Sequence, residues 1–128
     1  MGRLLLIDDD KTDRFLMKKA LLKHRETLEL IELEQGFEAV QVIKDKQPLA
    51  TLLDIRMPGL DGFEVLKMIR QDPDLSDHPV YMVSGSEEPS DMAMAREAGA
   101  NGYLTKPGSV SGYGQLAKTI DKNVFGIK

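Results

Sequence analysis

Cysteine and tryptophan are absent from the chain, which also has no long apolar run and no excess of basic residues. Without cysteine there can be no disulfide, thiolate metal site or thiol redox chemistry. No apolar run approaches the roughly 20 residues of a membrane span, and the residues after Met1 do not form a signal peptide. The net charge of −4 argues against a nucleic-acid surface. We therefore expect a cytoplasmic protein that binds neither membrane nor nucleic acid.

Short apolar runs alternate with amphipathic helical patterns along the 128 residues. Such runs, bounded by turn residues, predict buried strands: Arg3–Asp8, Leu28–Leu33, Leu49–Asp54, Val80–Ser84 and Tyr103–Lys106. The predicted helices are Lys11–His24, one from Gly36 to Pro48, one from Asp61 to Asp72, one from Pro89 or Ser90 to Gly99, and one carrying Leu116, Ile120 and Val124. These alternating units predict one α/β domain with a parallel sheet and helices on both faces.

Residue types within these helices predict their buried faces and their ends. The first helix should turn Phe15, Leu16, Ala20 and Leu21 inward, and the fourth Met92, Ala95 and Ala98. Asp61 is a suitable N-cap for the third helix, and Gly99 a suitable C-cap for the fourth.

Chemically active side chains stand where the predicted strands end: Asp8, Asp9, Asp54, Ser84 and Lys106. The carboxyl ends of parallel strands lie at one edge of a sheet, so these groups should converge there. Neighbouring carboxylates repel unless a cation neutralises them, and oxygen-only sites suit Mg²⁺. The alternative is a cluster of N-caps for the first helix, and Asp10 suits that role.

Asp54 ends a strand predicted to be buried, where a carboxylate needs a partner or a function. Capping the next helix is the alternative, although Asp61 fits that role better. Close to a metal and a lysine, Asp54 could attack phosphorus and form an acyl phosphate. Ser84 and Lys106 taken alone suggest only a turn and a solvated charge, and Pro107 allows a cis peptide bond.

Four motifs carry a family resemblance: Leu6-Ile7-Asp8-Asp9-Asp10, the segment from Leu52 to Gly62, Val83-Ser84-Gly85, and the segment from Gly99 to Pro107. Together they are highly specific. The chain resembles the receiver domains of two-component response regulators and is similar to the chemotaxis response regulators over essentially its whole length. The stretch from Asp72 to Ser86 also resembles small stand-alone receivers, including those paired with bacterial phytochromes.

The resemblance implies a doubly wound, flavodoxin-like (βα)5 fold over residues 1–128, with strand order 2-1-3-4-5. It implies phosphorylation of Asp54, assisted by Ser84 and Lys106, with Ser84 and Tyr103 as the switch residues. The implied cofactor is Mg²⁺, held by Asp8, Asp9, Asp54 and the backbone carbonyl of Arg56.

The resemblance also implies partners. The phosphoryl group would come from a phosphohistidine on a sensor histidine kinase or phosphotransfer protein. A downstream protein would bind the face formed by helix 4, strand 5 and helix 5, and phosphorylation could drive homodimerisation there. Such a protein is not an enzyme beyond its own phosphorylation and dephosphorylation. The receiver fold accounts for the chain, so we expect a stand-alone regulator or an excised receiver.

Two features depart from the usual pattern. Gly108–Gly114 is a loose stretch, and its first part, Gly108–Gly112, stands where many receivers place an apolar residue and start the last helix quickly, which bears on partner docking. Arg56, two residues after the phosphoacceptor, is bulky and cationic, which bears on the lifetime of the phosphoryl group.

Two other hypotheses remain. Asp8-Asp9-Asp10-Lys11-Thr12 fits the D-x-D-x-T signature of haloacid-dehalogenase-like phosphatases, which would make Asp8 the nucleophile. The short chain, the absence of a cap insertion and the lack of a late acidic pair argue against it, and Asp54 would have no role. A degenerate receiver used purely as a binding module is the other hypothesis, and its signature would be loss of Mg²⁺ binding.

Overall fold

The computed structural model describes residues 2–126. Its strands are β1 (Arg3–Ile7), β2 (Glu29–Leu33), β3 (Ala50–Leu53), β4 (Val80–Ser84) and β5 (Gly102–Thr105). Its helices are α1 (Lys11–His24), α2 (Ala39–Lys46), α3 (Gly62–Gln71), α4 (Pro89–Glu97) and α5 (Gly112–Asp121), followed by a π-helical segment, Lys122–Gly126. The predicted limits, residues 1 and 128, lie outside the described residues.

All five strands are parallel and lie in the order β2-β1-β3-β4-β5, which confirms the predicted flavodoxin-like fold. In the register of the sheet, Ile7 is opposite Leu53, and Ser84 is opposite Thr105. The last residues of neighbouring strands are therefore level with one another. The loops that follow these strands all start at the same edge, so the residues predicted to act together are brought together there.

Alternate residues of the strands divide the core into two layers. Leu5 and Ile7 of β1 pack in the layer that contains the buried side chains of α2, α3 and α4. Leu4 and Leu6 pack in the layer that contains those of α1 and α5. Both faces of the central strands are covered, which is why those strands are almost continuously apolar. Fully burying each leucine or isoleucine stabilises the fold by about 1.5–3 kcal/mol.

Most predicted elements are present, with shifted ends. Three predicted strands, those ending at Asp8, Asp54 and Lys106, stop one residue earlier, so all three polar side chains lie in the following loops. The helix predicted from Gly36 begins at Ala39. A Cβ atom at Gly36 would lie 2.1 Å from Val65 Cγ2, so this glycine serves close packing against α3.

Some predictions of buried faces and helix extent were wrong. Phe15, expected inside, is 61% exposed, and Met17 is buried with Leu21. Val124, assigned to the last helix, lies in the π-helical segment beyond α5. No peptide bond within residues 2–126 is cis, so the bond before Pro107 is trans.

The predicted helix ends agree with the structure where cap chemistry was identified. Asp61 and Glu64 form a reciprocal capping box at the start of α3, an arrangement in which the N-cap alone contributes about 1 kcal/mol. Gly99 follows α4 with φ +96°, the left-handed conformation that glycine adopts without strain. Within residues 2–126, no helix is both long enough and apolar enough to cross a membrane, and the expected cytoplasmic location stays a prediction.

Candidate functional site

Three carboxylates meet beyond the carboxyl ends of β1 and β3. Oxygens of Asp8, Asp9 and Asp54 all lie within 4.8 Å of one another. Asp8 and Asp54 are buried, whereas Asp9 is exposed to solvent. The cluster offers only oxygen atoms, which suits a hard divalent cation such as Mg²⁺ or Mn²⁺ rather than a metal that prefers nitrogen or sulfur. The donor set therefore fits the metal expected from the sequence.

Backbone contacts fix the two buried acids in place. The Asp8 N–H donates to the Leu33 carbonyl at 3.1 Å, and the Asp54 N–H donates to the Ile7 carbonyl at 2.9 Å. Both residues thus extend the sheet ladder into the loops. The start of α3 packs against Asp54: a Cβ at Gly62 would lie 2.2 Å from the Asp54 carbonyl oxygen, so only glycine fits there.

The side-chain oxygens of the two buried acids have different partners. Asp8 Oδ1 accepts the Asp10 N–H at 2.9 Å, and Asp8 Oδ2 lies 2.8 Å from Lys106 Nζ. Asp54 Oδ1 accepts the Ile55 N–H at 3.0 Å and is the Asp54 oxygen nearest Lys106. Asp54 Oδ2 makes neither of these contacts, and it is open to solvent, because no fully buried side-chain oxygen in residues 2–126 lacks a hydrogen-bond partner. Asp54 therefore has an oxygen open to solvent, whereas both Asp8 oxygens have protein partners.

Asp10 caps α1 and does not join the metal-binding cluster. Its carboxylate accepts the Asp13 N–H at 2.9 Å, and its side chain is not among the converging acids. The N-cap interpretation of Asp10 is therefore confirmed. Sequence analysis missed a neighbouring residue, Arg14, whose Nη1 donates to the Asp8 carbonyl oxygen at 2.7 Å and anchors the acidic loop.

Lys106 reaches into the cluster from the loop after β5. Its backbone N–H donates to the Ser84 carbonyl at 2.8 Å. Its ammonium group lies 2.8 Å from Asp8, 2.8 Å from Asp13 and 3.5 Å from the nearest oxygen of Asp54. Asp13 was not predicted as a site residue. The signal for it was its place in the first turn of α1, whose N-terminus faces this edge of the sheet.

Burial and charge shift the pKa values of this cluster. Burial raises the pKa of Asp54 from 3.8 to about 6; the Lys106 charge lowers it and the Asp8 charge raises it. Burial lowers the pKa of Lys106, but hydrogen bonds to Asp13 and Asp8, together with the Asp54 charge, outweigh this and raise it above its usual value. Lys106 is therefore a permanent cation at the site.

Ser84 and Tyr103, the predicted switch residues, are joined through Ser86. Ser84 is fully buried, and its Oγ accepts the Ser86 N–H at 3.1 Å. Tyr103 is half-buried and its hydroxyl donates to the Ser86 carbonyl at 2.7 Å. The Ser84 hydroxyl and the Tyr103 ring are thus linked by a single residue of the loop between β4 and α4.

Arg56 forms a contact that sequence analysis did not predict. Its Nη2 lies 2.7 Å from an oxygen of Asp91, a buried acid in the first turn of α4. Ser86 Oγ donates to the same oxygen at 2.7 Å. The guanidinium therefore points toward α4 and connects the loop after β3 with the loop after β4.

A groove of about 280 Å³ lies beside Tyr103, on the face where α4 meets β5. It is lined by Met92, Ala95, Arg96, Ala100, Gly102 and Tyr103. Any movement of the Tyr103 ring would change the shape of this groove.

Comparisons with known proteins agree with this geometry. The family model of the response regulator receiver domain matches residues 4–120. Protein PilH of Pseudomonas aeruginosa is 33% identical over 107 residues, covering 84% of this chain and 87% of PilH. Response regulator MprA of Mycobacterium ulcerans is 35% identical over 105 residues, which are 82% of this chain but only 44% of MprA.

Solved structures give the same result. The phosphorylated cyanobacterial phytochrome response regulator RcpA has a TM-score of 0.88 and 29% identity, over 98% of this chain and 94% of RcpA. The Mn²⁺-bound form of response regulator Rcp1 has a TM-score of 0.86 and 29% identity, over 100% of this chain and 98% of Rcp1.

Proposed function

The chain belongs to the response regulator receiver domain family, and on that premise we propose that it is a signalling switch controlled by phosphorylation of Asp54. The donor is a phosphohistidine on a sensor histidine kinase or a phosphotransfer protein. Receiver domains are switches rather than enzymes that turn over a separate substrate. The observation that carries the choice of residue is the Asp54 Oδ2 atom, which is open to solvent and takes no part in the contacts of Oδ1 with Ile55 and Lys106, whereas both Asp8 oxygens already have protein partners.

Phosphoryl transfer at this site exchanges one bond for another. Asp54 Oδ2 attacks phosphorus, the P–N bond to the donor imidazole breaks, and the imidazole nitrogen keeps the electron pair and takes up a proton. The product is an acyl phosphate on Asp54. In hydrolysis, water attacks phosphorus, the P–O bond breaks, and the Asp54 carboxylate and inorganic phosphate are released.

Lys106 and a divalent cation supply the positive charge that phosphoryl transfer requires. Lys106 already faces Asp54 at 3.5 Å and stays charged at neutral pH. We assign Mg²⁺ to Asp8, Asp9, Asp54 and the backbone carbonyl of Arg56, and the Mn²⁺ of the similar Rcp1 supports a divalent metal. When bound, the metal neutralises phosphoryl oxygens. Ser84 supplies a hydrogen bond to the phosphoryl group once its hydroxyl turns toward Asp54.

The output follows from the link through Ser86. A Ser84 hydroxyl that turns toward the phosphoryl group releases the Ser86 N–H. Ser86 also holds the Tyr103 hydroxyl, so the Tyr103 ring and the groove beside it respond. We propose that a downstream protein or a second copy of the chain recognises this face of α4, β5 and α5. Assignment of residues 1–128 to one receiver domain also remains a proposal.

Acetyl phosphate can replace the protein donor in a test. Incubated with acetyl phosphate and Mg²⁺, the protein should gain one phosphoryl group by intact mass, and EDTA should prevent this. Asp54→Asn should abolish the gain, because the nucleophilic oxygen is lost. Asp45→Asn, the same change of charge on the exposed surface of α2, is the matched control and should label normally. Labelling of Asp54→Asn to the wild-type extent would refute the proposed function.

A further inference from the structure

Lys106 has a partner that does not belong to the proposed metal site. Of its three carboxylates, Asp8 and Asp54 are in the oxygen cluster proposed to bind metal, whereas Asp13 is in α1. The Lys106–Asp13 distance of 2.8 Å is shorter than the 3.5 Å to Asp54. An ammonium group has three donors. One donor of Lys106 is directed to Asp13, which is not the proposed phosphoacceptor.

Asp13 is itself held on three sides. Its backbone N–H donates to Asp10 Oδ1 at 2.9 Å. Its Oδ2 accepts from Lys106, and its Oδ1 accepts the hydroxyl proton of Tyr113 at 3.3 Å. Tyr113 belongs to α5 and is 5% exposed, packed in the core layer shared with α1. A single carboxylate therefore connects the lysine of the site with a buried tyrosine of α5.

We propose that Asp13 is a positioning residue that retains Lys106 until Asp54 is phosphorylated. We also propose that the hydrogen bond between Asp13 and Tyr113 transmits the loss of the Lys106 contact to α5. The inference rests on the proposed function. The phosphoryl group adds oxygens and negative charge beside Lys106, which draws the ammonium from Asp13 toward Asp54. The Asp13 carboxylate then loses its cation, and its hydrogen bond with the Tyr113 hydroxyl changes.

Competition for the ammonium explains why this arrangement affects the switch. A metal held by the cluster would neutralise Asp8 and Asp54, and both would then attract Lys106 less strongly. Asp13 lies outside that set and keeps its full charge. The resting state is therefore stabilised by a contact that the phosphorylated state gives up, so removal of the Asp13 charge should favour the phosphorylated arrangement.

Tyrosine labelled at Cζ gives a direct reading of this contact by NMR. The chain has three tyrosines, so the spectrum is simple. Beryllofluoride with Mg²⁺ is the phosphoryl mimic, and ¹⁹F NMR reports whether it is bound. In the wild type, the Tyr113 resonance should move when the mimic binds, and the Lys106 Nζ resonance should move with it. In Asp13→Asn, the Tyr113 resonance should already be displaced and should move little.

Affinity for the mimic gives a second reading. Asp13→Asn should bind beryllofluoride roughly fivefold more tightly, the scale of one partly exposed ion pair. Asp13→Glu keeps the charge and should return toward wild-type affinity, a rescue that a purely structural role would not give. Asp45→Asn should bind like the wild type. Tyr113→Phe keeps the Asp13 charge but removes the hydroxyl that stabilises it, so Asp13 should hold Lys106 more strongly and the affinity should fall. This opposite shift keeps the test decisive should Asp13→Asn fail to fold, and tighter binding by Tyr113→Phe would overturn the role of Asp13.

The outcomes separate the two proposals. A Tyr113 resonance that stays still while ¹⁹F NMR shows bound beryllofluoride would overturn the role of Asp13 and leave the proposed function intact. Equal affinities of Asp13→Asn and the wild type would overturn it as well. Failure of the wild type to bind beryllofluoride at all would overturn the proposed function and this inference together.

Discussion

Asp54 is a buried carboxylate whose charge is only partly offset in the folded protein. Burial raises its pKa to about 6, even though Lys106 lies 3.5 Å away. Lys106 has two closer partners in Asp8 and Asp13, so its charge is shared among three acids. An additional cation would stabilise the ionised form of this buried carboxylate. This environment is therefore consistent with the proposed metal-assisted phosphoryl transfer.

Replacing Asp54 should therefore stabilise the fold. In metal-free buffer at about pH 7, Asp54→Asn should raise the free energy of unfolding by about 1–2 kcal/mol, because the ionised carboxylate is costly when buried. The folded state binds the Asp54 proton more tightly than the unfolded state. The favourable contribution of Asp54 is thus complete below the unfolded pKa of 3.8 and is lost as pH rises through about 6.

Urea unfolding at two pH values checks this prediction. The increase in the free energy of unfolding caused by Asp54→Asn should be present at about pH 7. It should shrink toward zero at about pH 4, where Asp54 is protonated in the folded wild type. Asp45→Asn should change stability little at either pH. Destabilisation by Asp54→Asn at about pH 7 would mean that the contact with Lys106 outweighs the cost of burial.

Asp9 should matter for metal binding and not for folding. It is exposed, in contrast to Asp8 and Asp54, so Asp9→Ala should weaken Mg²⁺ binding by roughly tenfold or more without lowering the free energy of unfolding. Calorimetric titration with MgCl2 provides the measurement, and Asp45→Ala provides the control. An unchanged titration in Asp9→Ala would remove Asp9 from the metal site.

At the scale of elements, the loops after β3 and β4 are tied to the start of α4. Arg56 and Ser86 both contact the same buried oxygen of Asp91. The ion pair of Arg56 joins α4 to the loop that carries Asp54. Arg56 is 65% exposed at its side chain, so its contact is of the weak class typical of surface pairs.

Arg56→Ala should shorten the lifetime of the phosphoryl group. We expect dephosphorylation to accelerate by roughly two- to fivefold, the range set by an ion pair of this kind, because the site becomes more open to water. Loss of labelled phosphate over time provides the rate. Asp91→Asn keeps the guanidinium but weakens its tether, which separates the effect of position from that of charge. An unchanged rate in Arg56→Ala would make the residue a surface charge without a role in hydrolysis.

Local signals in the sequence predicted the elements but not their cross-connections. The order of the elements and the convergence of Asp8, Asp54 and Lys106 followed from apolar runs that end in polar residues. The contact of Asp13 with Lys106 joins residues 93 positions apart, and that of Arg56 with Asp91 joins residues 35 apart. Such pairs depend on how helices pack against the sheet, and no local pattern encodes that packing. Phe15 was misplaced for the same reason.

At the scale of the whole molecule, the two proposed routes from the phosphorylation site lead to opposite sides of the parallel sheet. Ser84 and Tyr103 lead through Ser86 to α4 and β5. Lys106 leads through Asp13 to Tyr113 in the layer of α1 and α5. Both routes begin at one edge of the sheet because parallel strands end there together.

Beryllofluoride with Mg²⁺ should therefore change the amide spectrum well beyond the acidic cluster. Shifts should extend from Asp54 to Ser84 and Tyr103 and into α4, because Ser86 contacts Ser84, Tyr103 and Asp91 of α4. They should also reach α5, because Asp13 contacts both Lys106 and Tyr113. A second copy of the chain that binds the same face would raise the mass measured by light scattering on addition of the mimic. Shifts confined to residues around Asp54, with no change in mass, would exclude this output face.

The position of the acyl phosphate is the most decisive observation to make. Protein phosphorylated by acetyl phosphate and Mg²⁺ is reduced with borohydride, which converts an aspartyl phosphate to homoserine, and is then digested for mass spectrometry. Homoserine should appear in place of Asp54 alone, because Asp54 Oδ2 is open to solvent whereas both Asp8 oxygens have protein partners. Homoserine in place of Asp8 would instead support a haloacid-dehalogenase-like phosphatase and overturn the assignment of Asp54.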